Sequence, residues 1–244
     1  MWGTLGELQE VVRLNPHDQM AYALMGQLYA EDFGRPKEAG DQFRKALELK
    51  PSAEQEQAIR RELAATQIAL NDFEGALDTL ASASEDVGVL AMKAECLWNL
   101  RNPTAATQQL ERAKSIDPKF RAVLLLESRM KTDSGFAGDA VKLLTKLLEQ
   151  DPHDFTARYQ LAQAYRLHGD LERSQVELTR MQESKDLRNR LNELYEQAIK
   201  SPLDSDIREQ LATTCDQLGK RELAEKWRRA SGAARQAELY FKKP

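Results

Sequence analysis

Four prolines close amphipathic stretches at near-regular intervals, in Leu14-Asn15-Pro16, Leu49-Lys50-Pro51, Ile116-Asp117-Pro118 and Gln150-Asp151-Pro152. Pro16 to Pro51 is 35 residues, Pro118 to Pro152 is 34, and Pro51 to Pro118 is 67, one short of two such units. A unit this short cannot bury its apolar face alone, so such units must stack on their neighbours into an array. An array presents long continuous surfaces, and its ordinary work is binding.

Each period holds two helices. Between Pro16 and Pro51, apolar or small residues fall at Tyr22, Met25, Gly26 and Tyr29, then a loop surrounds Gly34, then Ala39, Phe43 and Ala46 follow. Gly26 and Ala39 let two helix backbones approach while the aromatic rings fill the space beside them. The clearest second copy follows Pro152, with Leu161, Ala162 and Tyr165, a turn at Gly169-Asp170-Leu171, and Ser174 and Leu178 beyond. Looser copies run through Leu63, Ala64, Asn71-Asp72-Phe73, Ala76, Leu80 and Ala83; through Leu90, Ala94, Leu97, Ala106, Leu110 and Ala113; and through Leu124, Ser128, Gly135, Ala140, Leu144 and Leu147.

The pattern resembles the tetratricopeptide repeat, with its Trp-x2-Leu-Gly-x2-Tyr, Ala-x3-Phe and terminal Pro, one extra loop residue accounting for the 35-residue spacing. The resemblance implies an all-α, right-handed superhelical solenoid of antiparallel helix pairs, about six pairs and a half. Expected boundaries are a half-repeat or capping helix at 1–17, repeats at 18–52, 53–86, 87–119, 120–153 and 154–201, a degenerate repeat at 202–232, and a terminal helix or tail at 233–244. At the N-terminus, Thr4 and Glu7 have capping-box spacing ahead of the Leu5, Leu8, Val11, Val12 face. No Gly or Pro interrupts Asp170 to Ser201, which favours one helix of about 30 residues, although Ser184, Lys185 and Asp186 break its apolar phase.

Composition narrows the function classes. A net charge of -4, from 35 basic and 39 acidic residues, gives no drive toward nucleic acid or anionic membrane. No apolar run reaches the roughly 20 residues of a bilayer span, and no membrane insertion is expected. The expected compartment is the cytoplasm, or the periplasm or another exported location if an upstream signal has been removed. Cys96 and Cys215 read as buried free thiols, and Asn102-Pro103-Thr104 is blocked as a glycosylation site by its proline. No catalytic residue, metal ligand or cofactor is expected, since nucleophile elbows, phosphate loops, His-Glu-x-x-His and Cys-x-x-Cys are missing from the sequence. His17-Asp18 and His153-Asp154 occupy equivalent places after a proline and read as helix starts. Glu85-Asp86 reads as solvated surface, and the basic cluster Lys220, Arg221, Lys226, Arg228 and Arg229 as a salt-bridged face.

Stacked pairs line the inner surface of such an array with first helices, and the resemblance implies that the positions flanking the Leu-Gly-x2-Tyr motif face it: Ala23, Gln27, Arg61, Ala65, Ile68, Ala91, Glu95, Trp98, Asn99, Leu125, Arg129, Tyr159, Gln163, Arg166, Glu209, Thr213 and Asp216. Arg61, Trp98, Asn99, Arg129, Tyr159, Gln163 and Arg166 among them suit a peptide. Amides pair with its backbone, aromatics supply contact area, and arginines grip a carboxylate in two hydrogen bonds. The expected function is a non-catalytic scaffold for a partner protein or peptide, acidic or carboxylate-bearing, in a concave groove. The lysines of the family's chaperone clamp have no counterpart at Ala23, Gln27, Tyr159 and Gln163. Two alternatives are the regulatory or substrate-recruiting region of a larger enzyme, and a self-assembling structural scaffold, a homo-oligomer joined through Leu5, Leu8, Val11 and Val12 or through Leu187, Leu191, Leu194 and Ala198.

Overall fold

The computed structural model describes residues 2–241, with side-chain environments for 5–236. Met1, and residues 242–244 of the expected terminal segment, lie outside the described residues. Among the described residues the chain is all-helical: α1 (Trp2–Leu14), α2 (Gln19–Gln27), α3 (Pro36–Glu48), α4 (Ala53–Ala69), α5 (Phe73–Ala81), α6 (Val87–Asn99), α7 (Pro103–Ile116), α8 (Arg121–Asp133), α9 (Ala137–Gln150), α10 (Phe155–Leu167), α11 (Leu171–Lys200), α12 (Ser205–Gln217) and α13 (Arg221–Phe241). Two compact units divide it, Met1–Leu126 and Glu127–Pro244.

The hairpin turns repeat more strictly than the prolines. Between the two helices of each pair sits one residue of left-handed backbone: Gly34, Asn71, Arg101, Gly135, Gly169 and Gly219. The next amide closes the helix end each time by donating back across the turn. Asp72 donates to Gln67 O, Asn102 to Leu97 O, Phe136 to Lys131 O, Asp170 to Tyr165 O and Lys220 to Cys215 O, and in the first pair Arg35 reaches one residue further, to Tyr29 O, all at 2.8–2.9 Å. This closure satisfies carbonyls that the helix leaves open, and it demands a positive φ, which glycine adopts without a steric penalty. Asn71 and Arg101 hold the same conformation at φ 60°.

In five pairs the left-handed residue follows the small first-helix residue (Ala64, Ala94, Ser128, Ala162, Ala212) by seven positions. Gly26 and Gly34 are separated by eight. The additional residue lies in the helix end and not, as expected, in the loop: Leu28–Asp32 form a π turn, closed by Phe33 donating to Leu28 O at 3.1 Å. A π turn is the ordinary way to lodge one surplus residue in a helix.

Helix starts are fixed by side-chain oxygens of Asp18, Ser52, Asp72, Asp86, Asn102, Asp154, Asp170 and Asp204, each accepting from an amide in the first turn of its helix; such a cap contributes about 1 kcal/mol. At the equivalent His-Asp pairs, then, the aspartate does the capping. The His153 ring instead meets Ser184 Oγ at 2.9 Å. α1 starts at Trp2, so Thr4 lies inside the helix and does not open it.

In the first unit α2 packs on α3, α3 on α4, α4 on α5, α5 on α6 and α6 on α7, with α1 laid on α2. Phe43, Ala39, Ala46, Ile59 and Leu63 form one cluster, and Ala64, Ala76, Leu80, Ala83, Val89 and Cys96 another. In the second unit α9 packs on α10, α10 on α11, α11 on α12 and α12 on α13. Its cluster comprises Leu191, Leu194, Ala198, Leu211, Cys215, Leu218 and Ala224, with Trp227 edge-on to Tyr195.

α11 is a single helix of 30 residues. At the polar Ser184–Asp186 step, Ser184 Oγ meets the His153 ring at 2.9 Å and Asp186 Oδ1 accepts from Gln182 Nε2 at 2.8 Å, with further polar contacts on either side. Glu177 pairs with Arg158 and Arg180, Arg158 Nε donates to Pro152 O at 2.8 Å, and Arg188 Nη2 donates to His153 O at 2.9 Å. α13 likewise continues from the degenerate repeat through residue 241 without a break at 232.

Candidate ligand-binding faces

In the first unit the first helices α2, α4 and α6 enclose an open groove of about 410 Å³. Met20, Ala23 and Leu24 from α2, Ala58, Ile59 and Ala65 from α4, and Met92 from α6 make it predominantly apolar, and Phe43 reaches it from α3. Gln19, Gln27 and Gln55 supply amides. A shallower concavity of about 240 Å³ adjoins it through Leu24 and Gln27, bounded by Leu8 of α1 and by Leu28, Glu31 and Asp32 of the π turn. Ala23, Gln27, Arg61 and Ala65 therefore line a real concavity, as their helical positions suggest. Met20, Leu24, Ala58, Glu62 and Met92 also line it, without a signal in the sequence pattern. Methionine and leucine in an amphipathic helix read as core by periodicity, yet Met20 and Leu24 are 45% and 41% exposed.

Two charged side chains reach the larger groove, Arg61 and Glu62. Arg61 donates to Asp86 Oδ2 at 2.8 Å, while Asp86 Oδ1 caps α6 by accepting from Val89 N. Glu85 pairs with Arg112 and Lys93, and hydrogen bonds from Arg112 and then Lys93 hold its carboxyl below the usual carboxylate range. Glu85 and Asp86 are thus ion-paired and not merely solvated. Glu62 is half-buried, and its side chain makes no hydrogen bond or ion pair among the described residues. Burial, reinforced by the charge of Glu31 and opposed by that of Arg61, raises its pKa above the ordinary glutamate value.

Trp98 and Asn99 lie on α6 of the same unit, both half-buried, and the Asn99 amide donates to Glu95 O at 2.8 Å within the helix. Ala91 is buried in the core, and Ile68 packs on the Ala64 cluster. Ala91 is thereby withheld from a ligand, and Ile68 only partly so.

The second unit places Arg129 on α8 and Tyr159, Gln163 and Arg166 along α10. Tyr159 is 48% exposed, and one turn before it stands Phe155, also exposed and not anticipated. Arg166 is exposed, and its side chain makes no hydrogen bond or ion pair among the described residues. Arg129 is half-buried. The basic cluster near α13 is partly spent on ion pairs, Arg228 with Asp216 and Arg229 with Glu225.

Chemical groups elsewhere are quiet. Cys96 and Cys215 are buried free thiols, and burial, with the nearby Glu95 charge, pushes the Cys96 thiol up to about 12. Among the described residues no cluster of three His, Cys, Asp or Glu is placed to hold a metal ion, and no helix is long and apolar enough to cross a membrane. The two apolar faces considered for self-assembly are largely met within the chain. Leu5 is buried as α1 packs on α2, with Val11 left exposed, and Leu191, Leu194 and Ala198 pack on α12.

Two family models described as tetratricopeptide repeat match the chain, one over residues 132–197 and the other over 21–52 and 87–120, together more than half of its length. A search of curated proteins finds no match. Among solved structures, TTC0263, a thermophilic tetratricopeptide repeat protein of Thermus thermophilus, is similar over 80% of this chain and 98% of its own, at 21% identity and a TM-score of 0.56. The Cut9–Hcn1 hetero-tetramer structure of APC/C contains a chain similar over 95% of this one and 43% of its own, at 13% identity and a TM-score of 0.58. At such identities the likeness is one of fold. With these family models matching more than half of its length, the chain belongs to the tetratricopeptide repeat family.

Proposed function

We propose that the chain is a non-catalytic scaffold that holds a peptide segment of a partner protein against its first helices. The observation that carries this reading is the apolar groove of about 410 Å³ in the first unit, open to solvent and floored by three successive first helices. An exposed concavity rich in Met, Leu and Ala, rimmed by amides, offers burial to apolar side chains and hydrogen bonds to a peptide backbone. Selection from a displayed peptide library against the full chain tests it. Binders should lose at least about ten-fold in affinity on Ala65→Trp, which fills the groove from an exposed position. Binders indifferent to that substitution would count against the groove.

The unpaired Arg166 favours a second contact of different character. Together with Tyr159 and Gln163 on α10, and Arg129 on α8, it suits a carboxylate-bearing segment at the second unit. A charge-assisted hydrogen bond contributes roughly 1.5–3 kcal/mol, so Arg166→Ala should weaken an acidic peptide by about ten-fold or more, and less so at high salt. Equal affinity in Arg166→Ala and Arg129→Ala, at both salt concentrations, would remove this contact. Arg61, held by Asp86, is not counted among its donors.

A further inference from the structure

We infer that the first-unit groove selects a partner segment that is apolar and carries a lysine or arginine, with Glu62 as the residue that receives the cation. This rests on the groove reading above and specifies its ligand. Of the two charges lining the groove, Arg61 is neutralised by Asp86 at 2.8 Å, and Glu62 has no partner among the described residues. The adjoining concavity adds Glu31 and Asp32, whose side chains likewise make no ion pair among the described residues. Leu8, Leu24, Met20 and Met92 thus share one continuous surface with three unanswered carboxylates and no unanswered cation.

The π turn is what brings the acids there. The surplus residue between Gly26 and Gly34 sits in the helical stretch that carries Glu31 and Asp32, beside the apolar side chains of α1 and α2. An incoming ammonium or guanidinium would relieve the repulsion between Glu31 and Glu62 and replace the water that Glu62 lacks by half-burial. An acidic segment would instead add a like charge to a partly desolvated site. An apolar segment without a cation would cover Glu62 and leave it unpaired, which is the costliest arrangement for a carboxylate. The three possibilities rank clearly, and only the basic one gains on every count.

The test is a random nine-residue peptide library displayed against three forms of the full chain: wild type, Glu62→Gln and Ala65→Trp, each first checked for native helicity and cooperative melting. Peptides recovered on wild type are expected to pair apolar residues with Lys or Arg. The basic enrichment should vanish on Glu62→Gln, and a chosen binder should lose about ten-fold on that variant, whereas its Lys→norleucine analogue should bind wild type more weakly than the parent peptide and lose nothing on Glu62→Gln. Recovery of neutral or acidic peptides that Ala65→Trp abolishes would overturn the cation assignment while leaving the groove reading intact. Basic enrichment unchanged on Glu62→Gln would overturn the role of Glu62. An empty pool, or one indifferent to Ala65→Trp, would overturn both.

Discussion

The α2–α3 and α10–α11 hairpins match the same motif and close in opposite ways. In the first, contact is dry: Gly26 faces Phe43 so closely that a Cβ would stand 2.6 Å from Phe43 Cε1, and Phe43 is 1% exposed. In the second, Ala162 takes the glycine's place and Ser174 Oγ donates to Ala162 O at 2.8 Å, while the buried Glu177 is bound by two arginines. The dry closure uses a ring against bare backbone. The wet closure uses hydrogen bonds and charge, and it leaves the second helix free to run on past the hairpin. One motif therefore tolerates two physical solutions, provided the small position stays small.

Substitutions at matched positions would break this contrast or sharpen it. Phe43→Ala has the largest expected effect, about 3–5 kcal/mol, because it empties a filled site under Gly26; its counterpart Leu178→Ala, half-buried, should cost clearly less. Native-state hydrogen exchange, read separately in the two hairpins, distinguishes them, since stability in stacked repeats is local. Glu177→Ala comes next at about 3 kcal/mol, leaving Arg158 buried without its carboxylate, and denaturant melting of the second unit's amides measures it. Equal costs for Glu177→Ala and an exposed control such as Glu172→Ala would show that the wet closure is only decorative.

Gly26→Ala should destabilise by about 1–3 kcal/mol through overpacking against Phe43, whereas Ala162→Gly should cost about 1 kcal/mol through lost helix propensity. The two exchanges run in opposite directions in helix propensity, so a loss on Gly26→Ala is the one that reports a site fitted to its partner, Phe43. Ser174→Ala is comparably small, about 1 kcal/mol for a buried hydrogen bond, and thermal unfolding of the full chain reads it. No loss there would mean that the hydroxyl merely occupies space.

Much of this was legible because helical periodicity reports burial. Gly26, Phe43, Ala39, Leu161 and Ala162 stand where their spacing placed them, and the 30-residue α11 was readable from the absence of Gly and Pro. What escaped has physical causes. The surplus residue in the first repeat is visible only as a count, and loop or helix can absorb it equally until hydrogen bonds are drawn. Arg61 looked available because its partner, Asp86, is 25 residues away across a helix interface. Met20 and Leu24 share their residue type with the core, so exposure alone separates them from it. Glu62 gave no signal, since a glutamate on an amphipathic helix is ordinary until its neighbours bury it. The prolines themselves proved a looser ruler than the left-handed turn residues, two of which, Asn71 and Arg101, are not glycine.

The uninterrupted α11 has a mechanical meaning. At about 1.5 Å per residue it is a rod of roughly 45 Å, with its beginning clamped to α10 and its end to α12. Where a turn would otherwise stand between neighbouring pairs, a continuous hydrogen-bonded ladder runs from one packing partner to the other. The last two hairpins share one shaft, and their spacing is set by the length of a single helix.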